Sequence, residues 1–109
     1  MKEDAVYLKH IQDSIKQILE YTHEGKNDFL IDRKTQDAVV RNLEIIGEAV
    51  KNISPDLKLR YPQLPWQSMA GMRDKLIHEY FGVDLDLVWS VVENYLSTLD
   101  ETITGILSA

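Results

Sequence analysis

The sequence predicts an all-α fold, an antiparallel bundle of four main helices with one additional short helix. Apolar residues recur at three- and four-residue steps along most of the chain, as expected for helices that bury one face. No stretch alternates apolar and polar residues as a half-buried strand does, and no repeat interrupts the helical pattern. A length of 109 residues suits one domain, so we expect a single helical domain over residues 1–109.

The first two helices are predicted from their apolar stripes and their capping residues. Asp4 is the expected N-cap of the first helix, and Gly25 lies just past its end as a C-cap. Residues 25–32 are interpreted as a loop, and Asp32 as the N-cap of the second helix. The stripe of the first helix is Leu8, Ile11, Ile15, Ile18 and Thr22, and that of the second is Val39, Leu43, Ile46, Val50 and Ile53.

The opposite face of the second helix is charged. It carries Asp37, Arg41, Glu44, Glu48 and Lys51 at the same spacing, and we call these five residues the charged line. One interpretation is a solvated face with weak ion pairs, and the other is a polar wall beside an active site or a dimer seam. Residues 33–60 contain six basic and four acidic residues, so any contact with nucleic acid should involve this segment.

Three further helices follow from local signals. Ser54 as N-cap and Pro55 at the first helical position predict a short helix through Leu59. A third main helix is expected from Trp66 to Gly82, and a fourth opens at residue 84 or 86, since both are aspartates. The core stripe of the fourth helix is Leu85, Val88, Val92, Tyr95, Leu99, Ile103 and Ile106.

Composition excludes several classes of protein. The chain has no cysteine, which removes disulfides, thiolate metal sites and cysteine nucleophiles and fits a reducing cytosol. Its first ten residues mix charged and apolar groups and lead into no long apolar run, so we expect no signal peptide, no membrane partner and a cytoplasmic location. The net charge of −6 works against non-specific binding of nucleic acid.

Motifs for metals and cofactors are missing from the sequence. None of the three histidines is spaced with another histidine or a carboxylate in a zinc or di-iron pattern, so we predict no metal site. His10 and His23 are interpreted as ordinary residues of the first helix. There is no phosphate-binding glycine loop and no nucleophile elbow, and we predict no cofactor.

The segment GMRDKLIHEYFG is the one concentration of reactive side chains. Arg73, His78 and Tyr80 fall within eight residues near the end of the third main helix. Arg73 and Tyr80 share a helix face, whereas His78 lies about 140° from Arg73 around an ideal helix. One ideal helix therefore does not present all three side chains together. A kink, an unwound terminus, an arginine that reaches around the helix, or a second chain would be needed.

This segment resembles the signature of HEPN domains, in which an arginine is followed after four residues by a histidine and then by a tyrosine. Asp74 occupies the polar position that follows the arginine. The resemblance is closest to the small bacterial branch called HepT. It extends to RNLEIIGEAVKNIS at residues 41–54 and to PW, MAGMRDKLIHEYFGVD and VW between Pro65 and Trp89, and so covers most of the chain.

The resemblance implies a toxin of a type VII-like toxin–antitoxin system that cleaves RNA without a metal ion. Arg73 and His78 would be catalytic, with Asp74 as a supporting polar residue. The toxin would be a homodimer in which the two motifs face each other. Its antitoxin would be a minimal nucleotidyltransferase that transfers AMP onto Tyr80 and so neutralises the enzyme.

Two other functions remain open at this point. The chain would instead be a non-catalytic partner subunit of a nucleotidyltransferase, holding a nucleotide or presenting the substrate, and its acidic charge favours that view. A plain helical interaction protein, with Arg73 and His78 as solvent-exposed residues, is the third interpretation. Tyr80 has a structural alternative as well, because an aromatic residue beside Phe81 can pack in a core or an interface.

Overall fold

Helices are the only regular secondary structure in the described part of the chain. The computed structural model describes residues 2–78 and 84–109, apart from the side chains of residues 2, 73 and 75–78. Within these ranges there are seven helices and no strand, which confirms the predicted all-α class. The helices are α1 (Lys2–Tyr21), α2 (Lys26–Ile31), α3 (Arg33–Asn52), α4 (Pro55–Arg60), α5 (Trp66–His78), α6 (Leu85–Asn94) and α7 (Leu96–Ser108). None of these helices is long and apolar enough to cross a membrane.

Helix α3 occupies the centre of the bundle. It packs against α1 on one side and α5 on the other, while α7 packs against α1 and α6. The stripe predicted for this helix is buried in full: Val39, Leu43, Ile46, Val50 and Ile53. The α1 stripe is buried too, from Leu8 to Thr22. Each buried aliphatic side chain contributes roughly 1.5–3 kcal/mol to stability, so the α1–α3 contact forms a large share of the core.

Three predicted helix caps are present. Asp32, Ser54 and Asp84 each accept a hydrogen bond from a backbone N–H two or three residues later in the chain. Of the two candidates at residues 84 and 86, Asp84 is therefore the N-cap of the predicted fourth helix. A cap of this kind contributes about 1 kcal/mol because it satisfies a backbone donor that the helix itself leaves unpaired.

The predicted loop at residues 25–32 was wrong, because most of it forms helix α2. Phe29 is 1% exposed, and its ring lies 5.5 Å from that of Trp89. A six-residue helix with one buried residue has no periodic pattern for sequence reasoning to detect. Gly25 joins α1 to α2 with a φ of 96°, a conformation that favours glycine.

The sequence predicted one continuous fourth main helix, but the structure divides it into α6 and α7 at Tyr95. Tyr95 has φ −120° and ψ −34° and is 59% exposed, so its predicted place in the core is wrong. Leu96, which is 2% exposed, occupies the buried position instead. Beyond the bend, Leu99 and Ile103 are buried as predicted, so only the position of Tyr95 differs.

Asp4 does not cap α1, because α1 already includes Lys2 and Asp4 lies within its first turn. The Asp4 carboxylate is 4% exposed and accepts hydrogen bonds from the Ser54 backbone N–H at 2.8 Å and the Ser54 Oγ–H at 2.7 Å. Burial raises the pKa of this carboxyl, but the hydrogen bonds from Ser54 and the charge of Lys58 outweigh that effect and bring the pKa below its ordinary value of 3.8. Asp4 thus ties the start of α1 to the corner between α3 and α4.

We predict that Asp4→Asn destabilises the fold by about 2 kcal/mol, the usual loss when a hydrogen bond to a buried charged group is removed. Because the pKa of Asp4 is lowered in the folded state, its stabilisation is present above pH 3.8 and is lost as the pH falls through the folded pKa. In urea unfolding, the difference in free energy of unfolding between wild type and Asp4→Asn should therefore be smaller at pH 3 than at pH 7. The exposed Asp13, changed to Asn, is the control. Equal midpoints for Asp4→Asn and Asp13→Asn would refute this role.

Candidate active site

Trp66 fixes the start of α5, the helix that carries the reactive motif. Its side chain is 8% exposed, and its Nε1–H donates a hydrogen bond to the Tyr61 carbonyl at 2.9 Å. Leu64, 7% exposed, packs into the same core. The backbone N–H of Met69 donates to the Pro65 carbonyl at 2.9 Å, so helical bonding begins where the sequence predicted. These contacts hold the first turns of α5 against the bundle.

Arg73 and His78 both lie on α5. Five residues of ideal helix separate their Cα atoms by about 7.5 Å along the axis and by about 140° around it. Their side chains are outside the described residues, as are Tyr80 and the predicted end of this helix at residues 79–82. The structure therefore places the backbones of Arg73 and His78 on one helix that packs against α3, and their contacts and the position of Tyr80 stay predictions.

Asp74 is the motif residue whose side chain is described. Its Oδ1 accepts a hydrogen bond from Lys51 Nζ at 2.6 Å, in an ion pair that joins α3 to α5. The two side chains are 50% and 38% exposed, so water screens the pair and its effect on stability is small. Its electrostatic effect is local, because Lys51 offsets the charge of a carboxylate that directly follows Arg73 in the sequence.

The charged line on α3 has two parts. Near its start, Arg33 contacts Asp37 and Arg41 contacts Glu44, each at 3.9 Å between exposed or half-exposed groups. These are the weak surface pairs of the first interpretation. At its end, Lys51 reaches α5. This second part contacts α5, and whether it forms a polar wall beside an active site or a dimer seam stays a prediction.

A pocket of about 230 Å³ opens between α1 and α3 beside the charged line. Tyr7 and His10 form one wall, with their ring centroids 6.4 Å apart in an edge arrangement. Glu44 and Asn52 belong to the opposite side. Sequence reasoning missed this pocket, although the spacing of residues 41, 45, 48 and 52 marks one continuous face of α3 toward α1.

His23 fits the interpretation of an ordinary surface residue. Its Nδ1 lies 2.8 Å from the Glu20 carbonyl oxygen and its Nε2 lies 2.9 Å from Glu24 Oε1. The backbone carbonyl of Glu20, followed by the charge of Glu24, raises the pKa of His23. Among the described side chains, no three histidines or carboxylates lie close enough together to hold a metal ion.

Comparison with known proteins identifies the family. The family model described as "Ribonuclease HepT-like" matches residues 11–106, which is most of the chain. The chain belongs to the HepT-like ribonuclease family. The HepT-like match includes α5 and the whole of α3. No solved structure matches the chain significantly.

Named relatives of this HepT-like chain agree with the family assignment. A candidate ribonuclease HepT of Thermococcus cleftensis is 53% identical over 94 residues, 85% of this chain and 86% of the relative. A candidate RNase of Methanocaldococcus jannaschii is 48% identical over 94 residues, 85% of this chain and 78% of the relative. A third, a candidate RNase of Caldanaerobacter subterraneus subsp. tengcongensis, is 40% identical over 108 residues, 98% and 96% of the two chains.

Proposed function

We propose that this HepT-like chain is an endoribonuclease that cleaves RNA without a metal ion, with Arg73 and His78 as its catalytic residues. The observation that carries the proposal is that both residues lie on α5, inside the segment matched by the ribonuclease family. The relatives named as RNases supply the substrate class. The absence of cysteine suits a cytoplasmic enzyme, and that is where we place the reaction.

The chemistry uses a nucleophile that RNA itself carries. The 2′-oxygen attacks the adjacent phosphorus as a histidine acting as base removes its proton. The bond from phosphorus to the 5′-oxygen breaks, and that oxygen receives a proton from an acid. The products are a 2′,3′-cyclic phosphate and a 5′-hydroxyl. Arg73 stabilises the negative charge that develops on the phosphate oxygens, because a guanidinium is a permanent, forked donor.

A homodimer would complete the site. On an ideal helix Arg73 and His78 point about 140° apart, so one copy of α5 does not direct both toward one phosphate without distortion. Two copies facing each other across a twofold axis would bring two arginines and two histidines to a single cleft. The two histidines would then divide the acid and base roles.

Regulation at Tyr80 is the second part of the proposal. We propose that the chain is the toxin of a toxin–antitoxin pair and that a minimal nucleotidyltransferase neutralises it by transferring AMP from ATP onto Tyr80. The phenol oxygen attacks the α-phosphorus of ATP, pyrophosphate leaves, and the phenol proton passes to a base of the transferase. Each AMP adds roughly one negative charge beside Arg73, where the RNA phosphate would bind, so charge and bulk both block the substrate.

A non-catalytic partner subunit of a nucleotidyltransferase is the alternative function, and the net charge of −6 favours it because RNA is repelled at long range. Such a subunit would bind a nucleotide and leave RNA intact. RNA cleavage by the isolated chain separates the two functions.

The first prediction concerns assembly. Sedimentation at micromolar concentration should give twice the mass of the chain, with the two α5 helices at the interface, because the site is incomplete in one copy. A cysteine introduced at Ser68, on α5, should form a crosslink between copies more readily than one introduced at the exposed Glu101 of α7. A strict monomer, or a dimer crosslinked only through α7, would contradict a shared site.

The second prediction concerns catalysis. The wild-type chain should cleave RNA in the presence of EDTA, and Arg73→Ala or His78→Ala should lower the rate by about 10²- to 10⁴-fold, as the loss of a positioned catalytic group does. His23→Ala and Arg60→Ala are matched controls, since both residues are exposed and lie outside α5. The circular dichroism spectra should be unchanged. Full activity in a folded His78→Ala protein, or activity that requires magnesium, would refute this mechanism.

The third prediction concerns Tyr80. Intact-mass spectrometry after incubation with the partner transferase, ATP and magnesium should show additions of about 329 Da, the mass of one AMP unit. Tyr80→Phe should block the addition, whereas Tyr95→Phe and Tyr21→Phe, which alter tyrosines that are 59% and 44% exposed, should not. Modified protein should no longer cleave RNA. Equal modification of Tyr80→Phe and wild type would mean that another tyrosine is the acceptor.

A further inference from the structure

The pocket between α1 and α3 has the composition of a site for a single nucleobase. Ile45 and Ala49 supply apolar surface, and Tyr7 and His10 supply an aromatic wall. Planar bases bind proteins in this way, with one face against aromatic or apolar groups and their edges against polar ones. The volume of about 230 Å³ is below the roughly 300–1,000 Å³ of pockets for drug-sized ligands, so the pocket suits a fragment of one ring system.

The polar side of the pocket can discriminate between bases. The Glu44 side chain is 26% exposed, and its Oε2 lies 3.9 Å from Arg41 Nη1, farther than a hydrogen bond. An ionised carboxylate only accepts hydrogen bonds, so it selects a base edge that donates them. Asn52, also in the lining, has its side-chain orientation fixed because Nδ2 donates to the Glu48 carbonyl at 2.9 Å.

One ion pair connects the part of α3 beyond the pocket with α5. Glu48 is part of the lining, and Lys51 lies one turn farther along α3, a separation of about 5–6 Å between Cβ atoms. Lys51 contacts Asp74 at 2.6 Å, and Asp74 directly follows Arg73 in the sequence. The surface of α3 that lines the pocket therefore continues, one turn farther along, to a contact with α5, the helix that carries Arg73.

We propose that this pocket binds the base of a nucleotide that flanks the cleaved phosphodiester, and that Glu44 makes it prefer a base with amino-group donors, guanine above all. Guanine presents N1–H and N2–H side by side to one carboxylate, whereas uracil has a single N3–H between two carbonyl oxygens that a carboxylate repels. The role in RNA cleavage rests on the proposed ribonuclease function, but binding of the base does not.

The test is a titration of the full chain with GMP and with UMP, followed by NMR signals of the Tyr7 ring and the Asn52 side-chain amide. GMP should shift these signals at lower concentration than UMP. Glu44→Gln should weaken GMP binding by about tenfold, the effect of losing a hydrogen bond to a charged group. Glu101→Gln, which removes an exposed carboxylate on α7, is the matched control and should leave binding unchanged.

Whether Glu44→Gln weakens or strengthens GMP binding distinguishes recognition of the base from electrostatic attraction of the phosphate. The variant removes a negative charge beside Arg41, so a site that bound only the phosphate would bind GMP and UMP more tightly after the change. That result, or equal binding of GMP and UMP by the wild type, would overturn the proposal. Shifts caused by arginine methyl ester and absent with GMP would also overturn it, because the pocket would then receive a basic side chain of a protein.

Cleavage of a randomised RNA pool supplies the second measurement. Wild type should cut most often where one nucleotide next to the bond is guanine, and Glu44→Gln should lose that preference while still cutting. If the wild type binds GMP as expected yet cuts no RNA, the proposed ribonuclease function fails and the base site stands. If the wild type cuts RNA with the same base preference as Glu44→Gln, the proposed base site is wrong and the proposed ribonuclease function is kept.

Discussion

The burial of α3 between α1 and α5 is the contact on which the rest of the structure depends. Both of its partners are long helices, and its stripe from Val39 to Ile53 is almost completely shielded from water. This packing sets the position of α5, which carries Arg73 and His78, and it leaves the charged line of α3 facing outward. One helix therefore supplies the core with its apolar face and borders the candidate site with its polar face.

The main helices could be predicted from the sequence because each has a long periodic stripe and a recognisable cap. The α3 stripe and the caps Asp32, Ser54 and Asp84 are as predicted. Features that depend on tertiary contacts were missed. Helix α2 depends on one buried side chain, Phe29, and the bend at Tyr95 puts Leu96 into the core in place of Tyr95. Neither the short helix nor the bend has a local signal in the sequence.

Asp4 illustrates a failure of the same reasoning that has a tertiary cause. An aspartate near a helix start is a typical N-cap, and the sequence predicted this role for Asp4. In the structure, however, Asp4 binds Ser54, which caps a different helix fifty residues away. For the site, the sequence and its family resemblance placed Arg73, Asp74 and His78 on one segment. The Lys51–Asp74 contact and the pocket beside Tyr7 required the three-dimensional packing of α3.

An acidic chain that acts on RNA needs its basic side chains at particular positions. The fold shows the position of one of them, Lys51. Lys51 offsets Asp74 beside the motif, so the charge next to Arg73 is less negative than the sequence alone implies. The excess of eighteen acidic over twelve basic residues also limits non-specific binding, because such binding requires basic groups that neutralise phosphates. Recognition would then rely on local contacts, including a base in the pocket between α1 and α3.

The origin of the nucleophile is the central chemical claim, and one modified substrate tests it directly. An oligoribonucleotide cut at a known bond is prepared with a single 2′-deoxynucleotide on the 5′ side of that bond. If the adjacent 2′-hydroxyl is the nucleophile, cleavage at this bond should be lost, while cuts elsewhere persist and end in a 2′,3′-cyclic phosphate and a 5′-hydroxyl. Continued cleavage at the deoxy position, with a 3′-hydroxyl and a 5′-phosphate, would mean that activated water attacks the phosphate and would contradict the roles assigned to Arg73 and His78.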